Sequence, residues 1–217
     1  MPLPLLHSFA GYKLYQSVNG KEKFTMQHPS EINWQMMTSI VILSNLADLD
    51  YVPGVLLGNA NLFHHGPSHS LLAGVLVGLL IAMTGWVRKN IPFWKTFRAS
   101  SLVYLSHVIL DFFSCSHSVP LLWPISNFRY GSTKMLFPAA GMSTLHANDI
   151  SEFADSVHSY GCLRRLMYEG MIIMIFYCGS VIVKSLSEHF PRKTAAVLSG
   201  SFTVFGLWFY AKTIGVL

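Results

Sequence analysis

Charged side chains are in short supply in this sequence. Lys, Arg, Asp and Glu make up 12% of the 217 residues and hydrophobic residues 52%, against roughly 25% charged in a typical soluble domain. Such a shortage excludes an all-round solvated surface and points to one that faces lipid. The basic residues give a net charge of +5, but they stand in short groups between apolar stretches and form no continuous basic face. That placement argues against nucleic acid as a partner. Cysteine is scarce too. Cys115, Cys162 and Cys178 are odd in number and lack a Cys-x-x-Cys spacing, which excludes a disulfide framework and a thiolate metal site. The start, MPLPLLHSFAGYKLY, lacks the basic opening, longer apolar stretch and small-residue cleavage site of a secretory signal, so it is expected to remain in the mature chain. No internal repeat is visible, and the length suits one domain over residues 1–217.

Apolar sequence is what abounds. A membrane crossing takes about 20 residues. Ser70 to Val87 and Ala195 to Ala211 contain no charge, and Gly170 to Val183 is similar but shorter. Trp34 to Ala47 runs directly into Asp48, and Ala99 to Phe113 contains His107 and Asp111. Ionisable residues at such depth mark a functional site by default. A sixth, weaker helix is expected from Leu3 to about Val18. These elements predict an all-α, integral membrane helical bundle of five to six helices. Arg88, Lys89, Lys95 and Arg98 fill one link, and Lys184, Arg192 and Lys193 another, so both links belong on the cytoplasmic side. Alternate crossings then place Tyr51 to His69 and Ser114 to Tyr168 together on the outer side. The latter carries Pro120, Pro124 and Pro138 and reads as a structured outer loop with one short amphipathic helix.

Three constellations on that side carry chemistry. The first is Asp48-Leu49-Asp50, at the end of an apolar helix and just before Pro53-Gly54. The helix dipole is negative at this end, so two acids there call for a compensating cation; the plainer reading is a solvated loop with two surface acids. The second is His64-His65-Gly66-Pro67-Ser68-His69-Ser70. Neutral imidazole is a common ligand for zinc and similar ions. His65 and His69 are four apart, with Ser68 or Ser70 suited to cap the following helix. In the third, His107 and Asp111 lie one helical turn apart on one face. They fit two ligands of one ion, a ligand with its orienting carboxylate, or a buried pair that ties two helices together. Because three separate stretches deliver His or Asp to one expected edge, a divalent metal is the favoured reading. His7, at the start of the first helix, is placed to add a nitrogen. His117, just past Asp111, is a weaker candidate. His146, Asp149, Glu152, Asp155 and His158 read as a solvated helix face, and His28 and His189 as interfacial residues.

The order of His7, LADLD, HHGPSHSLL, SHVILDFFS and LLWPIS closely resembles the YdjM-like, LexA-regulated inner-membrane proteins classed by their motifs as metal-dependent hydrolases. The resemblance covers roughly residues 7–126. The family pattern is an early Thr-His, a Leu-Pro-Asp-x-Asp, a His-Arg-Gly-x-Thr-His-Ser and a Ser-His-x-x-x-Asp followed by Trp-Pro. It implies His7, Asp48, Asp50, His65 or His64, His69, His107 and Asp111 as metal ligands, with Trp123-Pro124 completing the match. Four positions depart from it: Leu6, Ala47, His65 and Ser68 stand where Thr, Pro, Arg and Thr are usual. If His65 fills the arginine position, His64 replaces it as the likely ligand choice, and a phosphate-binding arginine is lost. His65 is then expected to act as a hydrogen-bond donor in its place. A fainter likeness is to the all-helical zinc-dependent phospholipase C and nuclease group.

The reading that follows is a bacterial inner-membrane hydrolase with a divalent metal, zinc first and manganese or iron next. In it the metal activates water and Asp50 acts as general base with His65 beside it. The expected substrate is an ester or phosphoester, small or lipid-like, with membrane lipid as surroundings. The rival is a non-enzymatic metal sensor, transporter or structural envelope protein. Transport fits poorly, since Ser70 to Val87 offers almost no polar group.

Overall fold

Asn33 starts the second helix by accepting a hydrogen bond from the Met36 N–H at 3.0 Å, as an N-cap does. Asn45 stops it eleven residues on. This helix and six others make up the regular structure of the computed structural model, described over residues 4–19, 33–59, 62–89, 91–114, 118–131, 151–152, 155, 160–188 and 190–213. The α-helices are α1 (Pro4–Asn19), α2 (Trp34–Ser44), α3 (Tyr51–Leu56), α4 (Leu71–Lys89), α5 (Phe93–Ser114), α6 (Tyr160–Leu186) and α7 (Arg192–Thr213). Two 3-10 turns, Leu46–Asp50 and Pro67–His69, carry motif residues. Among the described residues the chain is all-α.

The six expected helices are present, with moved boundaries. α5 begins at Phe93 and α6 at Tyr160, because amphiphilic turns bearing Lys95, Arg98 and Arg164 continue the helices past their apolar runs. The start of α6 removes two turns from the expected outer loop. Among the described residues two helices, over Leu71–Arg88 and Leu166–Leu186, are long and apolar enough to cross a membrane, and only 17% of each is buried inside the protein. A water-soluble helix this apolar would hide its surface, so the uncovered remainder fits lipid contact. α2 and Leu46–Leu56 form a third, broken candidate, bent by 55°. The charge-free Ala195 to Ala211 lies in α7.

The bundle centres on α5, which packs against α4, α1 and α2. Close approach of α1 depends on Gly11: a Cβ there would lie 2.8 Å from Ser44 Cβ and 3.2 Å from Val103 Cγ1. Ala47, Tyr104, Val108 and Val119 form a buried apolar floor. Leu6, Ile172 and Tyr210 form a second core where α1 meets α6 and α7. α6 and α7 pair through a hydrogen bond from Ser199 Oγ to the Gly179 carbonyl at 2.7 Å. The segment over 118–131 folds back across the start of α4. Val119 and Tyr130 exchange backbone hydrogen bonds of 2.7 and 2.8 Å, and the Leu71 N–H donates to the Leu121 carbonyl.

Candidate metal centre

The bend after α2 is what brings the first aspartates inward. When a helix ends, its last carbonyls lose their partners. The Ser44 carbonyl is taken instead by His107 Nδ1 of α5, at 2.8 Å. The chain then tightens into the Leu46–Asp50 turn, which presents Asp48 beside His107 and Asp50 beside His69. Pro53 sits in the first turn of α3, where its missing N–H costs little.

The histidine motif is shaped from both sides. Gly66 passes so near Phe63 that a Cβ would lie 2.6 Å from the Phe63 carbonyl oxygen. His65 has φ 55°, a left-handed conformation that costs a non-glycine residue on the order of 1 kcal/mol or more. Arg129 Nη2 donates to the His65 carbonyl at 2.9 Å while Arg129 Nε donates to the Ser118 carbonyl at 3.1 Å, which holds that turn in place. Tyr104 Oη donates to the Ser68 carbonyl at 2.8 Å. Of the two serines suited to cap α4, Ser70 does so, accepting from the Ala73 N–H at 3.1 Å. Ser68 instead donates to Asp50 Oδ2 at 2.6 Å.

These elements gather His7, Asp48, Asp50, His64, His65, His69, His107 and Asp111 into one cluster. His7, His69 and His107 are fully buried, and Asp111 is 1% exposed. Asp48 and Asp50 retain the most exposure, with side chains at 16% and 10%. At its heart lie His69 Nε2, His107 Nε2, Asp48 Oδ1 and Asp111 Oδ2. His107 Nε2 is 3.2 Å from both carboxylate oxygens. His69 Nε2 is 3.2 Å from Asp111 Oδ2 and 3.6 Å from Asp48 Oδ1. His69 Nε2, His107 Nε2 and Asp48 Oδ1 are buried without a well-directed hydrogen bond, an arrangement native interiors avoid unless something else fills the gap.

A cation fits that gap. Ligands 2.0–2.2 Å from a tetrahedral zinc stand roughly 3.4 Å from one another, and the four contacts of 3.2–3.6 Å bracket that edge. Both imidazoles are also fixed from behind. His107 Nδ1 is engaged by Ser44, and His69 Nδ1 lies 3.2 Å from Asp50 Oδ2 and 3.1 Å from Ser68 Oγ. Each Nε2 therefore points inward with its lone pair available, as when a hydrogen bond to the other ring nitrogen orients a metal-ligating histidine. These four residues are one of three groups among the described residues whose donor atoms all lie within 4.8 Å of one another.

The remaining members surround this core. His7 stacks on His107 with ring centroids 3.8 Å apart, and its Nε2 is 3.7 Å from Asp111 Oδ1. His65 Nε2 is 3.6 Å from Asp111 Oδ2. His64 donates from Nδ1 to Asp50 Oδ1 at 2.9 Å and stacks on Tyr51. Burial pushes the His65 imidazole down to about 3, so it is neutral near pH 7. Burial also opposes charge on His69, but Asp111, Asp48 and Asp50 outweigh it and raise that group well above its ordinary value. Without a cation, the carboxylates draw a proton onto His69.

Glu152 and Asp155 are exposed and belong to none of the groups of converging donor atoms. His28, His117, His146, Asp149, His158 and His189 lie outside the described residues. Sequence reasoning missed Ser44, Arg129 and Glu169. Ser44 acts through its backbone and Arg129 clamps backbone carbonyls, so side-chain chemistry gave no signal for either. Glu169 had one: it is an acid at the start of an apolar span. It is 1% exposed, and its Oε2 accepts from the Leu6 N–H at 3.1 Å, next to His7. A cavity of about 480 Å³ lined by Tyr15, Ile40, Ile81, Lys95 and Val103, among others, includes no member of the cluster.

The family model for the YdjM inner membrane protein matches residues 3–187. The chain belongs to this family. The YdjM match runs beyond the motif-bearing residues 7–126 to take in α6, and with the two apolar helices it makes this an inner-membrane protein. No curated protein and no solved structure matches the chain.

Proposed function

We propose that this YdjM-family protein is a metal-dependent hydrolase that cleaves an ester or phosphoester at the membrane surface. The observation that carries the reading is the inward convergence of His69, His107, Asp48 and Asp111, with both imidazoles fixed from behind. Two nitrogens and two carboxylate oxygens suit zinc, with manganese or iron as alternatives. A bound divalent ion supplies Lewis acidity, which lowers the pKa of a water and polarises the scissile bond.

The protein's own groups have separable roles. Ser44 and Asp50 hold His107 and His69 in orientation. His65, neutral and anchored by Arg129, donates a hydrogen bond to a substrate oxygen where the family pattern has arginine. Asp50, bonded to His64 and partly exposed, accepts the proton released from water. Asp48 and Asp50 are the most exposed members, so water and the substrate head group approach along their side. A lipid-like substrate is favoured because His69 directly precedes the membrane helix α4. Arg88 lies near the far end of α4, roughly 28 Å away for a helix of nineteen residues, and Lys95 lies near the matching end of α5. The positive-inside rule then puts the cluster on the outer face of a multi-pass protein.

The test is metal analysis of the purified protein, followed by a screen of simple phosphodiesters and carboxylic esters with the metal-loaded form. Loss of hydrolysis in His69→Ala and Asp111→Ala, with helix content retained, supports the reading. Protein that binds no zinc, manganese or iron, and gains no activity from any of them, overturns it.

A further inference from the structure

The cluster has more ligands than one ion can use. His69, His107, Asp48 and Asp111 already supply four donors to one ion, which at five- or six-coordination still has room for a water. Asp48 also belongs to a second group, with Asp50 and His64, whose donor atoms again lie within 4.8 Å of one another. We infer that the protein holds a second divalent cation at Asp48, Asp50 and His64, with the Asp48 carboxylate shared between the two ions. This rests on the metal reading above and extends it.

Geometry supports the second position independently of the first. His64 Nδ1 and Asp50 Oδ1 are 2.9 Å apart, close to the roughly 3.0 Å edge expected between neighbouring ligands 2.1 Å from a six-coordinate ion. The two oxygens of Asp50 are divided between tasks. Oδ1 faces His64, while Oδ2 is held by Ser68 at 2.6 Å and lies 3.2 Å from His69 Nδ1. One carboxylate thus orients a ligand of the first ion and contributes an oxygen to the second. His64 is fixed on its other side by the Tyr51 ring, 3.7 Å between centroids. A cation here takes the His64 Nδ1 lone pair, and the ring's one proton sits on Nε2 instead.

Charge points the same way. Asp48, Asp50 and Asp111 bring three negative charges into a largely buried site. One divalent ion leaves one of them uncompensated, whereas two leave a net positive charge. That surplus suits an anionic substrate such as a phosphoester, with the two ions placed about 3.5–4 Å apart, as in two-metal phosphatases. The second position is the more exposed, since Asp48 and Asp50 keep side-chain exposures of 16% and 10%. It is therefore the more readily exchanged. In the two-ion state Asp50 serves as a ligand in place of a general base.

The experiment is metal counting on full-length protein in detergent, loaded with manganese and freed of loosely held ion. Elemental analysis is paired with electron paramagnetic resonance to detect spin coupling between neighbouring manganese ions. The wild type is expected to hold two equivalents with a coupled signal. His64→Ala is expected to hold one equivalent with an uncoupled signal, with circular dichroism confirming the fold. One uncoupled equivalent in the wild type overturns the second site and leaves the hydrolase reading standing, whereas zero equivalents overturns both. Two equivalents retained in His64→Ala also overturns the assignment. If His64→Ala misfolds, His64→Gln replaces it under the same criteria.

Discussion

His107 Nδ1 donates a 2.8 Å hydrogen bond to the Ser44 carbonyl, tying the end of one helix to an inward-facing histidine of another. The bond exists because α2 stops at Ser44, and it leaves His107 Nε2 aimed between Asp48 and Asp111. Replacing His107 by Ala removes a ligand and leaves the Ser44 carbonyl buried without its donor. Metal affinity, measured by competition with a chelator of known strength, is expected to fall well beyond tenfold. Wild-type affinity in this variant would exclude His107 as a ligand.

Ser68 offers a finer test. Its hydroxyl donates to Asp50 Oδ2 and lies 3.1 Å from His69 Nδ1, so it orients a ligand without being one. Ser68→Ala is expected to weaken metal binding about 10–100-fold, the usual effect of losing such support. Ser68→Thr keeps the hydroxyl, restores the residue usual in the family pattern, and should bind metal like the wild type. Equal affinities in the Ala and Thr variants would show that Ser68 is only part of the turn.

The sequence was legible where side chains themselves carry the chemistry. His7, Asp48, His69, His107 and Asp111 stood out because ionisable groups are rare in apolar segments, and those are the residues found together. The division of labour among them was not readable. Whether Asp50 faces an ion, a histidine or both depends on a 55° bend that no spacing rule encodes. Arg129 was hidden for a different reason: it stabilises a strained backbone turn from 64 residues away. The helices were readable from apolar runs, but their ends were not, because α5 and α6 continue through charged turns before each span.

Removal of the metal is expected to destabilise the protein. A ligand that binds the folded state alone stabilises it by about 2.7 kcal/mol at a hundred times its dissociation constant. Chelator-treated protein should therefore unfold at a lower temperature than metal-loaded protein in the same detergent, and adding the ion back should restore the transition. An unchanged midpoint would mean that the cluster is satisfied without a cation.

Gly11 makes a prediction about packing. A side chain there meets Ser44 Cβ and Val103 Cγ1, so α1 must move away from α2 and α5. Overpacking of this kind costs typically 1–3 kcal/mol. Gly11→Leu should lower the thermal midpoint and weaken metal binding together, because α1 carries His7 and the displaced Ser44 orients His107. Gly200, with no atom near the position of a Cβ, provides the control: Gly200→Ala should change neither property.

Glu169 connects the far half of the bundle to the site. Its carboxylate accepts from the Leu6 N–H, one of the first-turn donors of α1 that has no partner within the helix. The next residue is His7. In Glu169→Ala that N–H stays buried without an acceptor, at a cost of about 1–3 kcal/mol; the start of α1 then frays and His7 loses its fixed position against Asp111. Glu169→Gln retains an acceptor oxygen and should preserve most of the stability. Thermal unfolding of the three forms, with metal affinity measured alongside, separates the possibilities. If Glu169→Ala is destabilised but binds metal as tightly as the wild type, Glu169 supports the fold alone and His7 takes no part in holding the ion.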